Sequence, residues 1–215
     1  MKLRTRGAAS PIMALATLLT MLGAGGGAAQ EFRACSVSAI QGAPARARVS
    51  GQWHDLAVGP LAGGAALVAT GPGARVEIRC DDGLVLTLGA GIEVELEGLI
   101  GAAGPERSVG LRLLRGIVGI EAPSRSWRSF EVRTPLAIAS ARTTTWLVEY
   151  AEATGTGVFV RLGSVDVAAA RGGATARLDA GEGVTIVPGA ARVQVVRWGA
   201  GRIAGAGATL GFGWQ

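Results

Sequence analysis

The sequence predicts an all-β protein built from many short, mainly antiparallel strands in a twisted sandwich or solenoid-like stack with glycine-rich corners. Three observations carry this. Past residue 30 the apolar residues alternate with period two, as in Ile92-Glu93-Val94-Glu95-Leu96. Turn signals separate such runs at the roughly 8–12-residue spacing of sandwiches and barrels. Glycine fills 35 of 215 positions, about twice its usual share, while Gly plus Pro stays below the range of disordered chains.

The first element is a leader. Lys2, Arg4 and Arg6 form a positive start, Ile12–Leu22 an apolar stretch of 11 residues, and Gly23–Ala29 a small-residue run. Eleven apolar residues fall short of the ~20 needed to span ~30 Å of hydrocarbon. The pattern is that of a secretory signal peptide cleaved after Ala29, with Gly27 and Ala29 at the recognition positions. Past the leader, Arg, Asp or Glu interrupts every apolar run, so no membrane-spanning helix is expected. The expected organisation is a signal peptide at 1–29, one all-β domain at 30–198 and a flexible Gly-rich tail at 199–215. The expected location is the periplasm.

Export bears on the cysteines. Cys35 and Cys80 are the only two, and in an oxidising compartment an even count points to a disulfide. The competing reading makes Cys35 a lipid-modified N-terminus with Ala34 before it. Glu31 and Arg33 place charges where such a signal stays apolar.

The strands expected next are Ala74–Ile78, Leu84–Leu88, Ile92–Leu96, Arg128–Arg133, Thr144–Tyr150, Gly157–Leu162, Val165–Ala169, Thr175–Leu178, Val184–Val187 and Arg192–Trp198. Asp82-Gly83, Gly89-Ala90-Gly91, Gly104-Pro105, Gly163-Ser164, Gly172-Gly173 and Pro188-Gly189 mark turns between them. Leu136–Ala153 is rich enough in Ala and Leu to suggest a helix. Its Thr143-Thr144-Thr145 run and Trp146 favour strand instead. A loose motif recurs at Leu86, Leu113, Val160 and Leu178, in which two alternating apolar runs meet at a glycine. Its uneven spacing excludes a regular repeat, and describes strands meeting at corners where a missing Cβ permits a sharp bend. The expected centre of the domain is an antiparallel hairpin of Thr144–Tyr150 and Gly157–Leu162. Pairing Val148 with Val160 sets Trp146 beside Leu162, and Glu149 lies near Phe159 and Arg161 on a half-solvated face.

Charge and chemistry exclude several functions. Of 21 basic residues against 16 acidic, three lie in the leader. The remaining excess is too small and scattered for a nucleic-acid footprint. His54, the only histidine, adjoins Asp55, and neighbours on a strand point to opposite faces, so the two cannot form a nucleophilic triad. One His and two distant Cys do not fill a zinc shell. Asp81-Asp82-Gly83 lacks the later acids of a calcium loop and reads as a turn. No phosphate loop occurs, and the sole lysine is Lys2. Glu93, Glu95 and Glu97 line one face of one strand at roughly 6.5–7 Å intervals. That spacing suits paired-carboxylate chemistry, which leaves a glycan hydrolase using Glu93 or Glu95 as the alternative function. Like charges in a row also describe a solvated face. No catalytic residue, metal or cofactor is assigned.

The residues then support a resemblance. Gln52-Trp53 with Leu56, Gly59, Leu61 and Gly64, followed by Thr70-Gly71 and the Asp82-Gly83 hairpin within Ala74–Gly89, is similar to the opening of FecR-like periplasmic domains. Phe130–Tyr150 resembles that family's F-x-V-x-T-P-x-A…A-R-G-T-x-F-x-V, and Val158–Val167 its V-x-V-x-x-G-x-V-x-V. Thr134, Pro135, Ala141, Arg142, Thr144, Trp146 and Gly163 are the motif positions, and Thr143 stands where the family usually has glycine. The resemblance covers about Val49–Val187. It implies an exported, non-catalytic module that binds an envelope protein or cell-wall component, with a signalling protein or outer-membrane receptor as the sharper form of that partner.

Overall fold

The computed structural model describes residues 32–99, 101–102, 108–123, 129–190 and 192–214. The leader expected at 1–29 and the Gly104-Pro105 turn lie outside them. In chain order the strands are β1 (Phe32–Arg33), β2 (Cys35–Gln41), β3 (Ala45–Val49), β4 (Gln52–Asp55), β5 (Gly59–Pro60), β6 (Ala65–Thr70), β7 (Arg75–Cys80), β8 (Val85–Leu88), β9 (Glu93–Glu97), β10 (Gly101–Ala102), β11 (Ser108–Ala122), β12 (Ser129–Arg133), β13 (Ala137–Ala141), β14 (Thr144–Ala151), β15 (Gly155–Leu162), β16 (Ser164–Ala169), β17 (Thr175–Asp179), β18 (Glu182–Ile186) and β19 (Val196–Arg197); one helix, α1 (Ala200–Leu210), follows. The protein is all-β, as its alternation predicts.

Apart from β1 and β10, which pair with each other, the strands form two ladders. The first runs β4–β3–β6–β9–β11–β12–β13–β16–β17. The second runs β5–β2–β7–β8–β11–β14–β15–β18–β19. Only β11–β12 is parallel within them. Strand β11 serves both ladders: Gly110–Arg115 pairs with β9, and Gly116–Ala122 with β14. Inward positions from the two sheets form one core, including Val94, Leu111, Leu113, Phe130 and Val132 from the first and Ile78, Leu86, Ile120, Trp146, Val148 and Val160 from the second. Phe130 meets Trp146 edge to face with ring centroids 6.3 Å apart, the arrangement that brings a positive ring edge to a negative ring face.

The four glycine motifs mark places where the chain leaves one sheet for the other. Gly116 within β11, Gly163 between β15 and β16, and Gly181 between β17 and β18 have φ of 94°, 86° and 84°. In the motif at Leu86 the central Gly89 is not left-handed, and Gly91, two residues on between β8 and β9, takes that conformation instead at φ 68°. A side chain is disfavoured at such φ, and at Gly116 a Cβ would also stand 2.6 Å from the Ile92 Cα. The β13–β14 corner differs. Among the described residues the non-glycine positions with positive φ are Ser50 and Phe212; Thr143 is not one of them, and threonine fits there unstrained.

Three expectations need correction. The central hairpin forms, but Val148 faces Val158 and Trp146 faces Val160. Ala151 pairs with Gly155, so the strands run further into the turn than their apolar alternation indicates, closed by the left-handed Gly155 (φ 87°). Leu162, expected beside Trp146, is 67% exposed. The opposite face of this hairpin is not half-solvated: Leu147 and Phe159 are buried with Trp198, Ala206, Leu210 and Trp214. Finally, the expected flexible tail forms α1 and packs on the outer face of the second sheet. The apolar residues Trp198, Leu210 and Trp214 find a glycine-lined surface there, which compensates for the weak helix propensity of the segment.

Candidate functional site

A polar groove of about 510 Å³ opens on the outer face of the first sheet, lined by Glu131, Ser140–Thr144, Ser164, Asp166 and Arg177. Register builds it. Ser140 sits opposite Glu131 on one side and Asp166 on the other, and Asp166 opposite Arg177. Adjacent strands lie ~4.8 Å apart, so two carboxylates flank a short serine side chain and leave a notch above it. The β13–β14 corner supplies the rim. There the hydroxyl of Thr144 donates to the Ser164 carbonyl at 3.1 Å, tying that corner to the next one at Gly163. A Cβ at Gly163 would stand 2.7 Å from the Thr143 carbonyl oxygen, so this close approach of corners needs glycine.

The charges in the groove are paired. Arg177 donates to Ser164 Oγ at 2.7 Å and lies 3.7 Å from Asp166. Arg133 bridges Glu131 at 2.8 Å and Glu97 at 3.3 Å. Such a surface of mixed charge and hydroxyls presents directional donors and acceptors. It suits recognition of another polar surface by hydrogen bonds and charge pairs.

The motif positions divide. Ala141, Arg142 and Thr144 come together at the groove, with Gly163 behind them. Thr134 and Pro135 lie at the other end of β13, where Thr134 Oγ1 accepts from the Ala137 N–H at 2.9 Å and the Leu136 N–H at 3.2 Å, fixing the β12–β13 turn. Trp146 is fully buried in the core. Cys35 and Cys80 form a disulfide across paired positions of β2 and β7.

Glu93, Glu95 and Glu97 line the outer face of β9, as expected. Arg115 pairs with Glu93 at 3.2 Å, and Arg112 with Glu95 at 3.5 Å. Trp53, His54 and Asp55 are exposed on the end strand β4, where Arg46 holds Asp55 at 3.0 Å. Asp82 Oδ1 accepts from the Leu84 N–H at 3.1 Å, the geometry of a turn. No group of three or more His, Cys, Asp or Glu side chains able to hold a metal occurs among the described residues. No helix among them is long and apolar enough to cross a membrane.

Glu131, Ser140, Asp166 and Arg177 were not singled out by sequence. Their signal is parity: each is an outward position in an alternating strand, but only the register shows that they share a row.

Residues 66–166 match the family model described as FecR protein. Two crystal structures of a candidate anti-sigma factor from Parabacteroides distasonis ATCC 8503 share the fold. One has a TM-score of 0.53 at 18% identity, the other 0.52 at 19%. Each comparison covers 64% of this chain and 62% of that one, so the chain spans less than two thirds of those proteins. No curated protein matches the chain.

Proposed function

From the FecR domain carried by residues 66–166, we propose that this chain is an exported, non-catalytic binding module of the cell envelope whose partner is a signalling protein or an outer-membrane receptor. The reading rests on one observation: motif residues Ala141, Arg142 and Thr144, inside the matched span, line the polar groove on the first sheet. The partner docks there, and Arg142 offers it a planar, permanently charged donor. The leader pattern at 1–29 supports delivery to the periplasm, the side on which FecR-like domains work, with cleavage after Ala29. The Cys35–Cys80 disulfide accords with an oxidising compartment. Hydrolysis through Glu93 and Glu95 gains no support, because both carboxylates face arginines on an open sheet surface.

Site-specific photocrosslinking in cells tests this. A photoreactive residue at Thr143, on the rim, should capture one envelope protein that the same probe at Arg171, in the β16–β17 turn, does not. Arg142→Ala should weaken the capture in protein whose circular dichroism shows the sandwich still folded. Equal capture from both positions, or capture indifferent to Arg142, removes the groove as the docking site. N-terminal sequencing of exported protein should read from Gln30.

A further inference from the structure

The outer face of the second sheet has an unusual floor. One row of register crosses it as Thr87, Gly119, Leu147, Phe159 and Gly183, on β8, β11, β14, β15 and β18. The two glycines are slots. At Gly119 a Cβ would stand 2.6 Å from Trp214 Nε1, and at Gly183 it would collide with Trp198 Nε1. Phe159 stacks on Trp198 with centroids 5.1 Å apart. The slots are three strand spacings apart, or ~14 Å. The 11 residues of α1 span ~16 Å. The helix therefore lies across the strands as a strap with a tryptophan seated at each end.

The strap is held from the sheet and weakly by itself. Gly201, Gly205 and Gly207 interrupt the helix, its N-cap Gly199 makes no side-chain cap, and its first and last turns hold no complementary charge. A helix this short with such composition does not persist in water. Its C-terminal carbonyls are satisfied from the sandwich: Arg75 donates to Thr209 O at 2.9 Å and Ala208 O at 3.0 Å. At the other end Arg202 stacks 3.5 Å over Trp198 and pairs with Glu149 at 2.8 Å. Both seated indoles leave a buried Nε1 with no hydrogen-bond partner, an unfavourable term that release into water relieves.

We propose that this face is a docking groove for a protein segment presenting two aromatic rings about 14 Å apart across the strands, and that residues 198–214 are its built-in occupant, released as a unit while the sandwich stays folded. The strap itself argues for that occupant, because it shows the chemistry and spacing the slots accept. The inference does not depend on the groove at Ala141–Thr144.

Hydrogen exchange of the full chain reads the release. Amides of 200–211 should exchange together, at least ~10-fold faster than those of β14 and β15. Trp214→Ala, which empties the Gly119 slot, and Gly119→Ala, which fills it from below, should both speed strap exchange further and leave the β14–β15 amides unchanged. A synthetic Val196–Trp214 peptide then separates the two variants. It should bind the full-length Trp214→Ala protein and not the Gly119→Ala protein. Strap amides as protected as the core, or a peptide that binds both variants or neither, would overturn the proposal.

Discussion

The side-chain oxygens of Thr134 and Thr156 lie 2.7 Å apart in the interior, one in the β12–β13 turn of the first sheet and the other on β15 of the second. Both side chains are buried, so this is a hydrogen bond between sheets inside a largely apolar core. Thr134 Oγ1 also accepts from two backbone N–H groups. Thr134→Val should therefore lower stability by about 1–3 kcal/mol, because it leaves those donors without a partner. Thr156→Val, losing only the hydroxyl contact, should lower it less. A double-mutant cycle in urea should return a coupling of at least ~0.5 kcal/mol; additive effects would show that the two hydroxyls act separately.

Trp146 and Glu149 test the two faces of one strand. Trp146 is fully buried against Phe130, and Trp146→Ala should lower stability by roughly 3–5 kcal/mol. Glu149 pairs with Arg202 at 2.8 Å, with both side chains more than a third exposed. Glu149→Ala should shift it by less than about 1 kcal/mol. Denaturant unfolding of the two variants decides whether Trp146 belongs to the core.

Gly116 and Gly172 separate backbone strain from crowding. Both have positive φ, 94° and 85°. A Cβ at Gly172 meets nothing within 4 Å, while at Gly116 it meets the Ile92 backbone. Gly172→Ala should lower stability by about 1–2 kcal/mol through φ alone. Gly116→Ala should lower it by clearly more, since β11 changes sheets there. Equal melting temperatures for the two variants would show that the corner relaxes.

The disulfide closes a separation of 45 residues between β2 and β7. Replacing Cys35 and Cys80 together with Ser should lower stability by roughly 3–4 kcal/mol in the chain-entropy model. Thermal melts with and without reductant should reproduce the difference in the wild-type protein and show none in the double variant. The intact mass should lack a diacylglycerol adduct.

Much of the architecture was legible in the sequence for local reasons. Side chains on a strand alternate between faces, so period-two runs announced β7, β8, β9 and β14–β18 without reference to their partners. Glycines between apolar runs announced the sheet-changing corners, because left-handed φ is a property of a single residue. The outward row Glu93, Glu95 and Glu97 was readable for the same reason. The groove was not, since its row of Glu131, Ser140, Asp166 and Arg177 joins four strands whose register no local pattern specifies.

The hairpin register and the C-terminal strap mark where sequence stopped and tertiary structure took over. Alternation fixed which face Trp146 and Val148 share, but a shift of two residues preserves every face; the tight turn closed by Gly155 chose Val158 over Val160 as the partner of Val148. Residues 199–215 read as a tail because their glycines disfavour a helix in isolation. The sheet supplies what they lack, with Gly119 and Gly183 making room for Trp214 and Trp198 and Arg75 capping the last carbonyls. The sequence thus determined where the backbone bends and, along most strands, which side chains share a face. Which surfaces meet was decided by contacts between residues far apart in the chain, whose energies appear only once the two sheets have formed.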